Sequence, residues 1–106
     1  MEREIDYERL GNNIKETRKQ SGLTQQSLAE QVSCNTSHIS NIENNYTKVS
    51  LNTLLAIANS LNTSIDYLLK DQYENPTLAI DNELFLEISK MDDEKKEQLL
   101  RIIKVL

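Results

Sequence analysis

Thr24-Gln25-Gln26-Ser27-Leu28-Ala29-Glu30-Gln31-Val32-Ser33-Cys34-Asn35-Thr36-Ser37-His38-Ile39-Ser40-Asn41-Ile42-Glu43-Asn44-Asn45 reads as two short helices with a tight break between them. Thr24 is a suitable N-cap for the first, because its hydroxyl can accept an orphan backbone N–H. Leu28, Ala29 and Val32 give that helix one small apolar face. Ser33-Cys34-Asn35 breaks the period, and Asn35 caps the second helix. Ile39 and Ile42 form its buried edge, so Thr36, Ser37, Ser40, Asn41 and Asn44 point outward. A merely solvated helix face usually carries Lys and Glu. A short, polar, uncharged one suits reading the edges of bases.

Other helices follow on both sides. Asp6 can cap a first helix over roughly 7–20, with Leu10 and Ile14 on its inner face and Gly22 as the left-handed residue after its last turn. Tyr46-Thr47-Lys48-Val49 is a loop. Ser50 then caps a fourth helix whose Leu51, Leu54, Leu55, Ala58 and Leu61 form an apolar stripe, which assigns it to the core. Asn62 ends that helix in place of a glycine. Ser64 caps a short fifth helix, and its Ile65, Leu68 and Leu69 close the core.

The blocks Leu23-Thr24-Gln25, Leu28-Ala29, Ile39-Ser40-Asn41-Ile42-Glu43-Asn44 and Leu51-Asn52-Thr53-Leu54-Leu55-Ala56-Ile57-Ala58 resemble the phage Cro/repressor-type family, also called the xenobiotic-response-element family. The resemblance runs over roughly residues 7–69. It implies an all-α, five-helix, lambda-repressor-like helix-turn-helix bundle that binds double-stranded DNA. It also implies an inward ion pair between Arg18 and Glu43, against the alternative of a solvated arginine at a helix C-terminus. Base contacts are expected from Thr36, Ser37 and Asn41, with Ser40 on the same face. Asn41 can bind adenine N6 and N7 together, and Thr36 can offer its hydroxyl or pack its methyl on thymine. Gln25 and Asn44 are expected on phosphates, with Lys48 as a further candidate and Lys15 or Lys19 weaker ones. Thr36 and Asn41 stand where relatives are often basic, which lowers the expected affinity. Asn45 replaces the glycine that commonly ends the recognition helix, and Cys34 fills an apolar turn position as a small hydrophobe.

The second part of the chain has a different character. Residues 70–77 are polar, lack periodicity and read as a linker. Over 78–106, Leu84, Ile88 and Met91 with Phe85, then Leu99, Ile102, Ile103 and Leu106 after a cap at Asp92 or Asp93, suggest a helical hairpin with an apolar seam. Fewer than about 30 residues cannot bury such a seam alone. The seam must pack on the first domain or on a second copy; the second copy is favoured, with Leu84, Phe85, Ile88, Leu99, Ile102, Ile103 and Leu106 dimerising, since such readers commonly act as dimers on two-fold sites.

Composition sets the remaining bounds. A chain of 106 residues fits one domain plus an appendage. Its net charge of −5 is divided as −2 over residues 1–9, +1 over 10–70 and −4 over 71–106. The acidity thus lies outside the reading domain, whose weak positive charge predicts modest phosphate contact. One histidine and one cysteine, with no phosphate-binding glycine loop, argue against an enzyme, and no metal or cofactor is expected. A charged start (Met1-Glu2-Arg3-Glu4), one cysteine and no long apolar run fit a cytoplasmic protein away from membranes. The reading is a transcriptional repressor. Its alternative is a protein-interaction module, an antitoxin or antagonist working through the hairpin.

Overall fold

The computed structural model describes residues 4–75 and 77–106; Met1-Glu2-Arg3 of the charged start and Pro76 of the expected linker lie outside the described residues. Those residues hold seven α-helices and no strand: α1 (Tyr7–Gln20), α2 (Gln25–Gln31), α3 (Thr36–Glu43), α4 (Leu51–Ser60), α5 (Ile65–Leu68), α6 (Thr77–Ser89) and α7 (Asp93–Lys104). This is the expected bundle of five followed by two more helices.

Local chemistry sets the boundaries. Six helices start on a side-chain cap that accepts the backbone N–H three residues on: Asp6, Thr24, Asn35, Ser50, Ser64 and Asp92. Each cap contributes about 1 kcal/mol. Four helices end with the same paired bonds around one left-handed residue. At α1, Gly22 N–H reaches the Lys19 carbonyl and Leu23 N–H the Arg18 carbonyl, both closing the last turn. Ser33, Asn45 and Asn62 repeat this after α2, α3 and α4, at φ of 58°, 62° and 56°. The two asparagines were expected there. Ser33 was not, although it makes the turn between α2 and α3.

Leu10, Ile14, Leu28, Ala29, Ile39, Ile42, Val49, Leu54, Ile57, Ala58, Leu61 and Leu68 make one continuous core. Tyr7, Leu23, Val32, Cys34, Ile65 and Leu69 pack against its edge. Partial burial raises the Cys34 thiol pKa, and the side chain packs on the core edge as a small hydrophobe. The stripe expected on α4 is corrected by one residue of rotation. Leu51 and Leu55 are 72% and 51% exposed, and the core is met by Leu54, Ile57, Ala58 and Leu61. Leu55 lies about 100° around the helix from Leu54, and Leu51 opens the first turn, beyond its neighbours.

The polar segment after α5 is tied down. Lys70–Gln72 forms a 3-10 turn. Gln72 brackets the cap of α1, accepting from Asp6 N–H at 2.7 Å and donating to the Asp6 carbonyl at 2.9 Å. Asn13 donates from α1 to the Leu68 carbonyl and to Asp71. Tyr73 donates to Asp66, a hydrogen bond that with burial and the nearby charge pushes its pKa up to about 12. Beyond this turn, α6 packs on α5 and on the turn itself, through buried Ala79 and a bond from Thr63 Oγ1 to Glu83 Oε1 of 2.7 Å. No comparable packing seats α7 on another described helix. Among the described residues no helix is long and apolar enough to cross a membrane.

A non-glycine residue with left-handed backbone costs roughly 1–2 kcal/mol, and asparagine tolerates it better than serine. Ser33→Gly should therefore raise the unfolding free energy by about 0.5–1 kcal/mol after the glycine entropy cost, and by more than Asn45→Gly does. Urea titration of both variants checks the order.

Candidate nucleic-acid interface

The outward side of α3 is built by the two ends of the helix. Asn35 accepts His38 N–H at 2.8 Å at the start. At the far end Asn45 N–H bonds the Ile42 carbonyl and Tyr46 N–H the Asn41 carbonyl. Ile39 and Ile42 face the core, fully buried or nearly so. Thr36, Ser37, Asn41 and Asn44 are exposed and Ser40 half-exposed. At about 100° per residue these five cover an arc of roughly 140°. Ser40 Oγ accepts from Asn44 Nδ2 at 3.3 Å. Among the described residues the side chains of Thr36, Ser37 and Asn41 make no hydrogen bond, so their donors and acceptors are left for a ligand. No lysine, arginine or exposed carboxylate interrupts the ridge, because Glu43, the single acid of α3, faces inward.

Glu43 carries no exposed side-chain surface. Arg18 of α1 approaches it as a fork, Nε to Oε2 at 2.7 Å and Nη2 to Oε1 at 3.0 Å. Its remaining Nη1 donates to the Leu23 carbonyl at 2.8 Å, in the turn before α2. Gln25, the first residue of α2, adds a third donor to the carboxylate, Nε2 to Oε1 at 3.0 Å. One buried anion thus joins α1, α2 and α3. The amide nitrogen of Gln25 faces that anion, so the side chain expected on a phosphate holds the carboxylate with its donor end.

The other expected phosphate groups lie apart. Asn44 is exposed beside Ser40. Lys48 stands in the loop after α3 with its ammonium 5.4 Å from the centre of the Tyr7 ring. Lys19 is exposed and Lys15 half-buried on α1. Among the described residues no group of three His, Cys, Asp or Glu side chains could hold a metal ion. Farther along the chain, Leu84, Phe85, Ile102, Ile103 and Leu106 are exposed, and Ile88 and Leu99 half-exposed. The apolar seam assigned to dimerisation is therefore open to solvent.

Two contributors escaped the sequence reading. One is the Gln25 bond to Glu43, which no spacing announces. The other is Gly11, buried in the middle of α1, where a Cβ would stand 2.5 Å from the Ile42 carbonyl oxygen. Glycine costs a helix interior about 1 kcal/mol relative to alanine, and that local penalty was the available signal.

Residues 14–68 match the family model described as helix-turn-helix. The chain is 35% identical over 88 residues to the HTH-type transcriptional regulator ImmR of Bacillus subtilis (strain 168), spanning 80% of this chain and 69% of that protein. Among solved structures it is similar to the P22 c2 repressor protein in complex with a synthetic operator (TM-score 0.54, 34% identity, 57% of this chain and 92% of that one). It is also similar to the SinR protein/SinI protein complex (TM-score 0.59, 26% identity, 90% of this chain and 94% of that one).

Removing one partner of a buried pair leaves the other charge uncompensated. Arg18→Ala should lower the unfolding free energy by about 3–5 kcal/mol. The double variant Arg18→Met/Glu43→Leu should recover most of it, and equilibrium denaturation of the three proteins measures both effects.

Proposed function

The chain belongs to the helix-turn-helix family of DNA-binding transcriptional regulators, and on that premise we propose that it is a repressor that lays α3 in the major groove of a two-fold operator. The observation that carries this reading is the ridge of Thr36, Ser37 and Asn41, exposed, uncharged and with side chains that make no hydrogen bond among the described residues. Asn41 reads adenine through N6 and N7, and Thr36 and Ser37, at the N-terminal end of the helix, meet neighbouring base edges. Ser40 supports them through its bond with Asn44, which reaches the backbone with Lys48. Gln25 contributes the placement of α3 through Glu43 in addition to any phosphate contact. A cytoplasmic location follows from this role.

The homodimer is part of the same proposal. Leu84, Phe85, Ile102 and Ile103 on α6 and α7, with Leu106 just beyond, are large apolar side chains left exposed, and contiguous exposed apolar surface marks association sites. A second copy brings two α3 helices onto half-sites one helical turn, about 34 Å, apart. The same open face favours a second reading, in which the hairpin takes a different protein. The similarity to a chain of the SinR protein/SinI protein complex supports that reading.

Sites selected from random duplexes supply the operator for both tests. Asn41→Ala should lose about 1–3 kcal/mol of discrimination at one base pair in each half-site, with the fold unchanged; uniform preferences across the site would refute the base contact. In sedimentation the wild-type chain should run as a dimer at micromolar concentration and Ile102→Asp/Ile103→Asp as a monomer. A wild-type chain that stays monomeric at every concentration would assign the hairpin to another partner.

A further inference from the structure

Gly11, Ile14 and Arg18 fall at i, i+3 and i+7 on α1 and are all buried in the face that meets α3. Ile14 and Arg18 contribute side chains there, and Gly11 contributes the lack of one. Its backbone is that of an ordinary right-handed helix, since Gly22 is the only glycine of the chain with positive φ. A turn does not require it. What requires it is contact: an added Cβ would lie 2.5 Å from the Ile42 carbonyl oxygen and 3.1 Å from that of Glu43. Both are main-chain atoms of the last turn of α3 and have no rotamer in which to move aside.

We propose that Gly11 is a positioning residue for base recognition: by letting α1 meet the carbonyl end of α3 backbone to backbone, it fixes how far Asn41 stands out from the domain. This rests on the reading of α3 as the helix in the groove. A Cβ at position 11 would have to drive the last turn of α3 outward by about 1 Å to reach ordinary contact. Recognition geometry tolerates only about 0.5 Å. The displacement is not shared evenly along the helix. The first turn is held by the Asn35 cap and by packing on α2, so the end bearing Asn41, one residue before Ile42, moves most. Thr36, at the start, stays close to its place. Gly11 therefore governs discrimination at one end of the ridge and not at the other, a signature that general destabilisation does not produce.

The test compares wild type, G11A, N41A, T36A and L69A on an operator series with every base pair substituted singly, at a temperature where circular dichroism shows wild type, N41A, T36A and L69A folded. Leu69, at the end of α5, packs at the edge of the core and serves as the control for lost stability. G11A should lose about tenfold of discrimination at the base pair where N41A loses it, and keep it within about twofold at the pair that T36A relaxes. Three results would overturn the proposal: G11A with wild-type preferences at both pairs, G11A weakened equally at all pairs in the manner of L69A, or G11A unfolded under conditions where L69A is folded. If N41A relaxes no base pair, the reading of α3 itself fails, and this proposal falls with it.

Discussion

A carboxylate shut away from water is costly unless charge and hydrogen bonds surround it, and the position of α3 depends on meeting that demand at Glu43. Arg18 supplies two parallel donors and Gln25 a third, so the anion is satisfied only when α1, the first residue of α2 and the end of α3 come together in one arrangement. An apolar contact at this place would tolerate sliding by a fraction of a side chain. A forked, charge-assisted contact does not. Arg18 also reaches the Leu23 carbonyl, which ties the pair to the turn where Gly22 reverses the chain. The hydrophobic core supplies most of the driving force for folding, while this polar junction sets the register of α1, α2 and α3, and with it the placement of the proposed reading surface.

Much of this was legible in the residues themselves, because helix ends are local. Six caps and the left-handed Gly22, Asn45 and Asn62 follow from single side chains acting on their own backbone. The outward ridge of α3 was legible for the same reason, since two isoleucines at i and i+3 decide which side is left over. What escaped were facts about pairs of elements. Leu51 and Leu55 fit a helical stripe as well as Ile57 does, and only the placement of the neighbouring helices leaves them outside and Ile57 inside. Ser33 has no sequence mark of a left-handed residue, yet the crossing of α2 and α3 puts it there. Val49 was read as part of a loop and is core. Gly11 shows its role only once the carbonyls of α3 stand beside it.

The sixth helix reverses the usual division between apolar and polar faces. It sits beside α5 through Ala79 and through Glu83, whose Oε1 accepts from Thr63 in the turn before α5, while Oε2 is buried without a hydrogen-bond partner among the described residues. Its leucines and Phe85, 71% exposed, point to solvent. The small residue permits close approach, and the large ones are left for a second surface. The turn at Lys70–Gln72, bonded to Asp6 and Asn13 on α1, holds the base of this arrangement firmly. The orientation of α6 is therefore set by the five-helix bundle.

The neutrality of the α3 ridge reaches beyond the contact itself. Lysines and arginines that settle on a duplex displace condensed cations, and that release dominates the grip of most such proteins on arbitrary sequence. A hydroxyl-and-amide surface displaces almost none. If α3 lies in the groove as proposed, counterion release is left to the few lysines around it, such as Lys48 and Lys19, and binding should weaken with salt less steeply than that of a reader whose recognition helix is itself basic.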